Sequence, residues 1–164
     1  MKHFAIIGSP VGHSLSPLLH NWVFKALNIQ AEYKKIRVEE EELPDIIQQI
    51  RNGKLDGCNV TIPHKENIMK FLDEINPRAE SISSVNCIMK SNSKIIGNNT
   101  DWFGFTMALK ENKIDLSNKE VIVLGAGGTA KSILFSLKQL GANKIILLNR
   151  TLHKAEALKD DIIT

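Results

Sequence analysis

"VIVLGAGGTAKSILFSLKQLGANKIILLNRT", residues 121–151, decides the fold. An apolar run ends in a glycine turn, a helical pattern follows, and a second apolar run closes the stretch within about thirty residues; this is the βαβ unit of a dinucleotide-binding fold. In "GAGGTA", Gly125 makes the tight turn and Gly127 lets the backbone approach a pyrophosphate, while Ala130 is small enough for helix and strand to pack closely. The helix then aims its free amides at the phosphates. A glycine turn without a ligand is the plainer alternative, and the flanking apolar strand and helix weigh against it.

The second strand ends in Asn149 and Arg150, where a protein choosing the unphosphorylated cofactor usually carries an acid for the ribose hydroxyl. Arg150 instead offers a guanidinium fork for an extra phosphate, with Lys154 one helical turn further on, so the expected cofactor is NADP. The candidate cofactor residues are Gly125, Ala126, Gly127, Gly128, Thr129, Ala130, Asn149, Arg150, Thr151 and Lys154. Both strands are apolar on both faces, as in a parallel sheet covered on each side, and two strands do not make such a sheet alone. Residues 151–164 keep a helical pattern to the last residue without a glycine stop. The expectation is a partial Rossmann-type domain over 111–164.

Upstream, strand and helix signals alternate. "HFAIIG" (3–8) is a short strand, and a helix from Ser16 carries Pro17 at its first position. A half-exposed strand over 31–38 precedes a helix over about 41–51 with Leu43, Ile46, Ile47 and Ile50 on one face. Strands are expected at 55–61, 84–89 and 94–98, the last two joined by a hairpin at Asn92 and Ser93, with helices over 64–72 and from Asp101 to about Asn112. The expected fold class is α/β: residues 1–110 form a substrate-binding domain with a mostly parallel sheet, followed by the dinucleotide-binding portion.

Composition narrows the function classes. The 164 residues carry 21 basic and 18 acidic side chains, net +3, with no basic block, which argues against nucleic acid and is compatible with a small anionic ligand. No apolar run approaches a membrane span, and the run Phe4–Ile7 is too short for a signal peptide, so a cytoplasmic protein is the default expectation. Cys58 and Cys87 stand in no metal-ligand spacing and read as reduced thiols. A homodimer is compatible with the sequence.

Several polar groups fall at expected strand ends. Ser14 and Ser16 in "GHSLSP" lie two apart where a helix opens, so both hydroxyls can face one anion; a plain helix cap is the competing explanation for Ser16. Asn59, Thr61 and Lys65 in "NVTIPHK" follow a strand, Asn86 sits among apolar neighbours where an amide needs partners, and Asp101 opens a helix. Each has a dull role of its own. Together they supply an anion clamp, hydroxyl partners, and a cation with a carboxylate.

Through "GHSLSP", "NVTIPHK", "SVN", "GNNTD", "GAGGTA" and "NRT", in order and spacing, the chain resembles the shikimate dehydrogenase family. The resemblance implies reversible NADPH-dependent reduction of 3-dehydroshikimate to shikimate, in aromatic amino-acid biosynthesis. It implies that Ser14, Ser16 and Thr61 meet the substrate carboxylate, that Asn59, Lys65, Asn86 and Asp101 meet the ring hydroxyls, and that Lys65 and Asp101 form the catalytic pair. Cys87 stands where the family usually has threonine, and Asn98 where an aspartate is common. Family members are also much longer, so the nicotinamide half of the cofactor site and a C-terminal helix are expected outside these residues. A quinate/shikimate dehydrogenase paralogue and a non-catalytic shikimate-binding module are the alternatives. A folate-linked dehydrogenase would need a different lysine motif.

Overall fold

The computed structural model describes all 164 residues, and they divide into two compact units. The first comprises Met1–Ser81 with Val85–Asn98, the second Ile82–Ser84 with Asn99–Thr164. No helix is long and apolar enough to cross a membrane.

The first unit is an α/β layer structure. Its strands are β1 (Lys2–Gly8), β2 (Ala31–Arg37), β3 (Gly57–Val60), β4 (Glu74–Ile75), β5 (Cys87–Ser91) and β6 (Lys94–Asn98), in the order β2-β1-β3-β5-β6-β4. Pairings β1–β2, β1–β3 and β4–β6 are parallel; β3–β5 and β5–β6 are antiparallel. The sheet is therefore mostly parallel, with one hairpin inserted. That hairpin turns at Asn92 and Ser93, whose φ values of 47° and 72° match the twist of the flanking strands.

Alternation along the strands gives the sheet two different faces. Ala5, Ile7, Cys58, Val60 and Ile88 point to one side, where they pack against Leu43, Ile46, Ile47 and Ile50 of helix α2 (Leu43–Arg51). Ile6 and Tyr33 point to the other, beside Phe4, Val11 and Phe24 of helix α1 (Ser16–Ala26). Gly8, the last residue of β1, is fixed by sterics: a Cβ there would lie 2.5 Å from the Thr61 side chain and 2.8 Å from the Ile62 carbonyl. The chain after β3 thus passes directly against the end of β1.

The helix expected over 64–72 is not α-helical. Turns occupy 62–66 and a 3₁₀ segment runs Asn67–Phe71. The Lys65 carbonyl, which an α-helix would offer to Met69, accepts the Val85 N–H at 2.8 Å, so the Met69 N–H bonds Glu66 instead. A short helix α3 (Pro77–Ile82) and the two-residue β4 lie in a stretch whose sequence pattern is too short to read.

The second unit contains helix α4 (Asp101–Glu111), strand β7 (Glu120–Leu124), helix α5 (Gly128–Gln139), strand β8 (Lys144–Leu148) and helix α6 (Leu152–Glu156). β7 and β8 are parallel, as a βαβ unit requires. Val123, Ile145 and Leu147 pack with Leu134 and Leu137 of α5, whereas Ile122, Leu124 and Leu148 are exposed on the other face. The tail departs from its helical pattern. α6 ends at Glu156, and the Asp160 carboxylate accepts the N–H groups of Ile162 and Ile163, turning the chain so that Ile163 bridges Ile145 in parallel.

Candidate functional site

In the first unit the polar groups gather at the carboxyl ends of β1 and β3. The order β2-β1-β3 places the connection after β1 on one side of that strand and β3 on the other, and such a reversal opens a crevice beyond the strand ends. β5 and β6 are antiparallel neighbours, so the start of β5 and the end of β6 reach the same edge: Asn59 pairs with Cys87, and Cys87 with Asn98.

Ser14 and Ser16 lie before and at the start of α1. The Ser14 hydroxyl donates to Ser16 Oγ at 3.2 Å, and the Ser16 backbone N–H donates to Ser14 Oγ at 3.2 Å. The first amide of α1 is thus taken by Ser14 and Pro17 has none, so an anion here meets the two hydroxyls rather than a row of free amides. From β3, Asn59 donates Nδ2–H to the Asn86 carbonyl at 3.1 Å. Asn86 is buried, and its backbone is held from both sides: its carbonyl also accepts the Val60 N–H, and its N–H donates to Asn98. Its segment precedes β5 rather than lying within it, which shortens the strand expected from residue 84.

Thr61 ends the run, its N–H bonded to the Ile7 carbonyl at 2.9 Å and its carbonyl accepting the His64 N–H at 3.0 Å. Lys65 follows and is only 8% exposed. Its position depends on His64, a residue the sequence pattern did not single out. The His64 ring is 1% exposed and donates Nε2–H to the Val38 carbonyl at 2.7 Å, while its buried Nδ1 meets no hydrogen-bonding atom.

Tyr33 is the other residue sequence reasoning missed. Its hydroxyl donates to Asn59 Oδ1 at 2.7 Å. Burial pushes the Tyr33 hydroxyl well above the usual phenol range, with the Cys58 and Cys87 thiols adding to the effect and Ser16 opposing it. It is therefore a donor at any working pH. Burial, and secondarily Cys87, pushes the Cys58 thiol up to about 12, and burial also raises Cys87; both cysteines are free.

In the second unit, Asp101 is the first residue of α4, and its N–H donates to Asn99 Oδ1 at 3.0 Å. Asn99 is 2% exposed and donates Nδ2–H to the Ser84 carbonyl at 2.8 Å and to Ser132 Oγ at 3.0 Å. Ser136 Oγ donates to the Trp102 carbonyl at 2.9 Å. Helix α5 is thereby bolted to the start of α4.

The glycine loop leads directly into α5. Gly125 has φ of 108°, a conformation side chains rarely adopt, and a Cβ at Gly125 or Gly127 would meet nothing within 4 Å. That open space, with an α5 N-terminus that no side chain caps, fits the close approach of a pyrophosphate. Ala130 is buried, as its packing role requires. Beyond β8, Asn149 donates Nδ2–H to the Thr151 carbonyl at 2.7 Å, leaving Arg150 and Lys154 exposed around the start of α6.

The chain is similar to known proteins over most of its length. Residues 6–88 match the shikimate dehydrogenase substrate binding domain, and residues 106–163 match the family described as shikimate / quinate 5-dehydrogenase. The shikimate dehydrogenase (NADP(+)) of Pelagibacter ubique is 46% identical over 158 residues, covering 96% of this chain and 60% of that protein. The crystal structure of shikimate dehydrogenase from Aquifex aeolicus superposes with a TM-score of 0.90 at 37% identity, over 96% of this chain and 59% of that one. The Thermus thermophilus enzyme, solved with NADP(H) and shikimate, gives 0.87 at 35% identity, over 96% and 59%. The chain spans about 60% of the length of these relatives. A domain match across residues 6–88, a second match across 106–163, and a strand-end cluster with a glycine loop in the expected order have one common explanation: the chain belongs to the shikimate dehydrogenase family.

Proposed function

We propose that the chain carries the substrate-binding part and the first cofactor-binding elements of an NADP-dependent shikimate dehydrogenase, which interconverts 3-dehydroshikimate and shikimate. The observation that carries this reading is the gathering of Ser14, Ser16, Asn59, Thr61, Lys65 and Asn86 beyond the carboxyl ends of β1 and β3. The Ser14 and Ser16 hydroxyls bind the carboxylate at the start of α1, with Thr61 completing the clamp. Asn59 and Asn86 present amide groups to ring hydroxyls. The Lys65 ammonium stabilises negative charge developing on the ring oxygen, and Asp101 is assigned the other half of the catalytic pair, in proton exchange.

The glycine loop 125–130 holds the pyrophosphate, and Arg150 with Lys154 binds the phosphate that distinguishes NADP, with Asn149 and Thr151 shaping the turn between them. When bound, the reduced cofactor supplies hydride to the carbonyl carbon. The substrate-binding portion extends from residue 1 to about 110 and the cofactor-binding portion follows it.

The test is NADP reduction followed by nicotinamide absorbance with shikimate as substrate. It is run on this chain and on the chain extended with the remaining carboxyl-terminal part of the Pelagibacter ubique relative. Activity of the folded extended form with shikimate is expected. A folded extended form inactive with shikimate and NADP overturns the reading, and faster turnover of quinate would reassign it to the quinate/shikimate class.

A further inference from the structure

We propose that Tyr33 is a positioning residue that fixes which atoms of the Asn59 amide a ligand meets, and so sets hydroxyl recognition in the first unit; this rests on the reading of Asn59 as a ligand-binding residue. A buried phenol needs a partner, and the one Tyr33 has is itself a candidate ligand contact. It donates to Asn59 Oδ1 at 2.7 Å.

The amide inventory shows what this does. Asn59 has two N–H groups and two lone pairs on its oxygen. One N–H goes to the Asn86 carbonyl and one lone pair to Tyr33, which leaves one N–H and one lone pair for a ligand. A flipped amide would set its oxygen against the Asn86 carbonyl and give up the bond donated by Tyr33, so the two partners fix the orientation together.

Tyr33 can impose that orientation because it is held firmly itself. Its ring stacks on His20, centroids 4.3 Å apart and planes 8° from parallel. The Asn21 side chain brackets its backbone, accepting the Tyr33 N–H at 2.8 Å and donating to the Tyr33 carbonyl at 2.9 Å. The side chain is 4% exposed.

The experiment is a double-mutant cycle on shikimate affinity, joined to nitrogen-edited magnetic resonance of the Asn59 side-chain amide in this chain. Tyr33→Phe keeps the ring and its stacking. It should raise the shikimate dissociation constant by about tenfold, the worth of one neutral hydrogen bond, and should shift the Asn59 side-chain amide resonances. In an Asn59→Ala background the same substitution should change affinity less than about twofold, because its intermediary is gone. Equal losses in both backgrounds, or an Asn59 amide unchanged by Tyr33→Phe, would overturn the proposal. If the unaltered chain does not bind shikimate, the ligand reading fails; the amide signals still decide whether Tyr33 holds Asn59.

Discussion

His64 donates its Nε2–H to the carbonyl of Val38 at 2.7 Å, tying the turn that carries Lys65 to the residue just beyond the end of β2. The bond is buried, so removing the donor leaves a carbonyl without water or partner. His64→Leu should destabilise the protein by about 1–3 kcal/mol in urea unfolding. His64→Gln, whose amide nitrogen reaches nearly the same point, should cost less. Equal costs for the two would show that ring volume rather than the hydrogen bond holds the turn.

Arg150 is exposed beyond β8 and is free to meet a phosphate. In the extended chain, Arg150→Asp removes the guanidinium and adds repulsion, so NADP binding should weaken roughly 10- to 100-fold more than NAD binding. Titration of each cofactor by nucleotide-dependent fluorescence checks this. Equal losses would remove Arg150 as the selector.

Asp73 accepts an Arg51 guanidinium bond at 2.9 Å and the Ile95 N–H at 2.7 Å, bracing β6. The Arg51 bond first, then the Ile95 amide, holds its carboxyl below the ordinary value of 3.8. A carboxylate lowered on folding contributes stability that is present above its unfolded value and lost as pH falls through its folded value. Asp73→Asn should therefore melt below the unaltered protein at pH 7, with the gap closing on acidification below 3.8. A gap constant with pH would assign the loss to packing.

Much of this architecture is legible in the sequence because local signals agree with tertiary needs. The glycine turn between two apolar runs specifies the βαβ unit of β7, α5 and β8; Asn92 and Ser93 tolerate the positive φ of their hairpin; and the spacing of Leu43, Ile46, Ile47 and Ile50 marks the buried face of α2. The failures have a common cause, which is competition by hydrogen bonds distant in sequence. Val85 claims the Lys65 carbonyl and prevents an α-helix over 64–72, and Asp160 with the Ile145 pairing draws the tail out of its helical pattern.

The site divides in the same way. Ser14, Ser16, Asn59 and Asn86 are recognisable by residue type and position at strand ends. Tyr33, His64 and Asn99 are not, because their roles depend on partners 26, 26 and 33 residues away. A tyrosine in an alternating edge strand, a histidine beside the conspicuous Lys65, and an asparagine before a helix each have an ordinary explanation. A buried polar side chain with a short bond to a candidate ligand residue is the signal that only coordinates supply.

The central claim is that Lys65 serves the chemical step while the Ser14 and Ser16 clamp serves binding, and steady-state kinetics of Lys65→Ala in the extended chain test it most directly. Loss of charge stabilisation at the reacting oxygen should lower kcat by about 100- to 1,000-fold and leave the shikimate KM within a few-fold of its original value. Ser16→Ala should do the opposite, raising KM with kcat largely retained. A Lys65→Ala variant with near-normal kcat and a strongly raised KM would make Lys65 a binding cation and contradict the account.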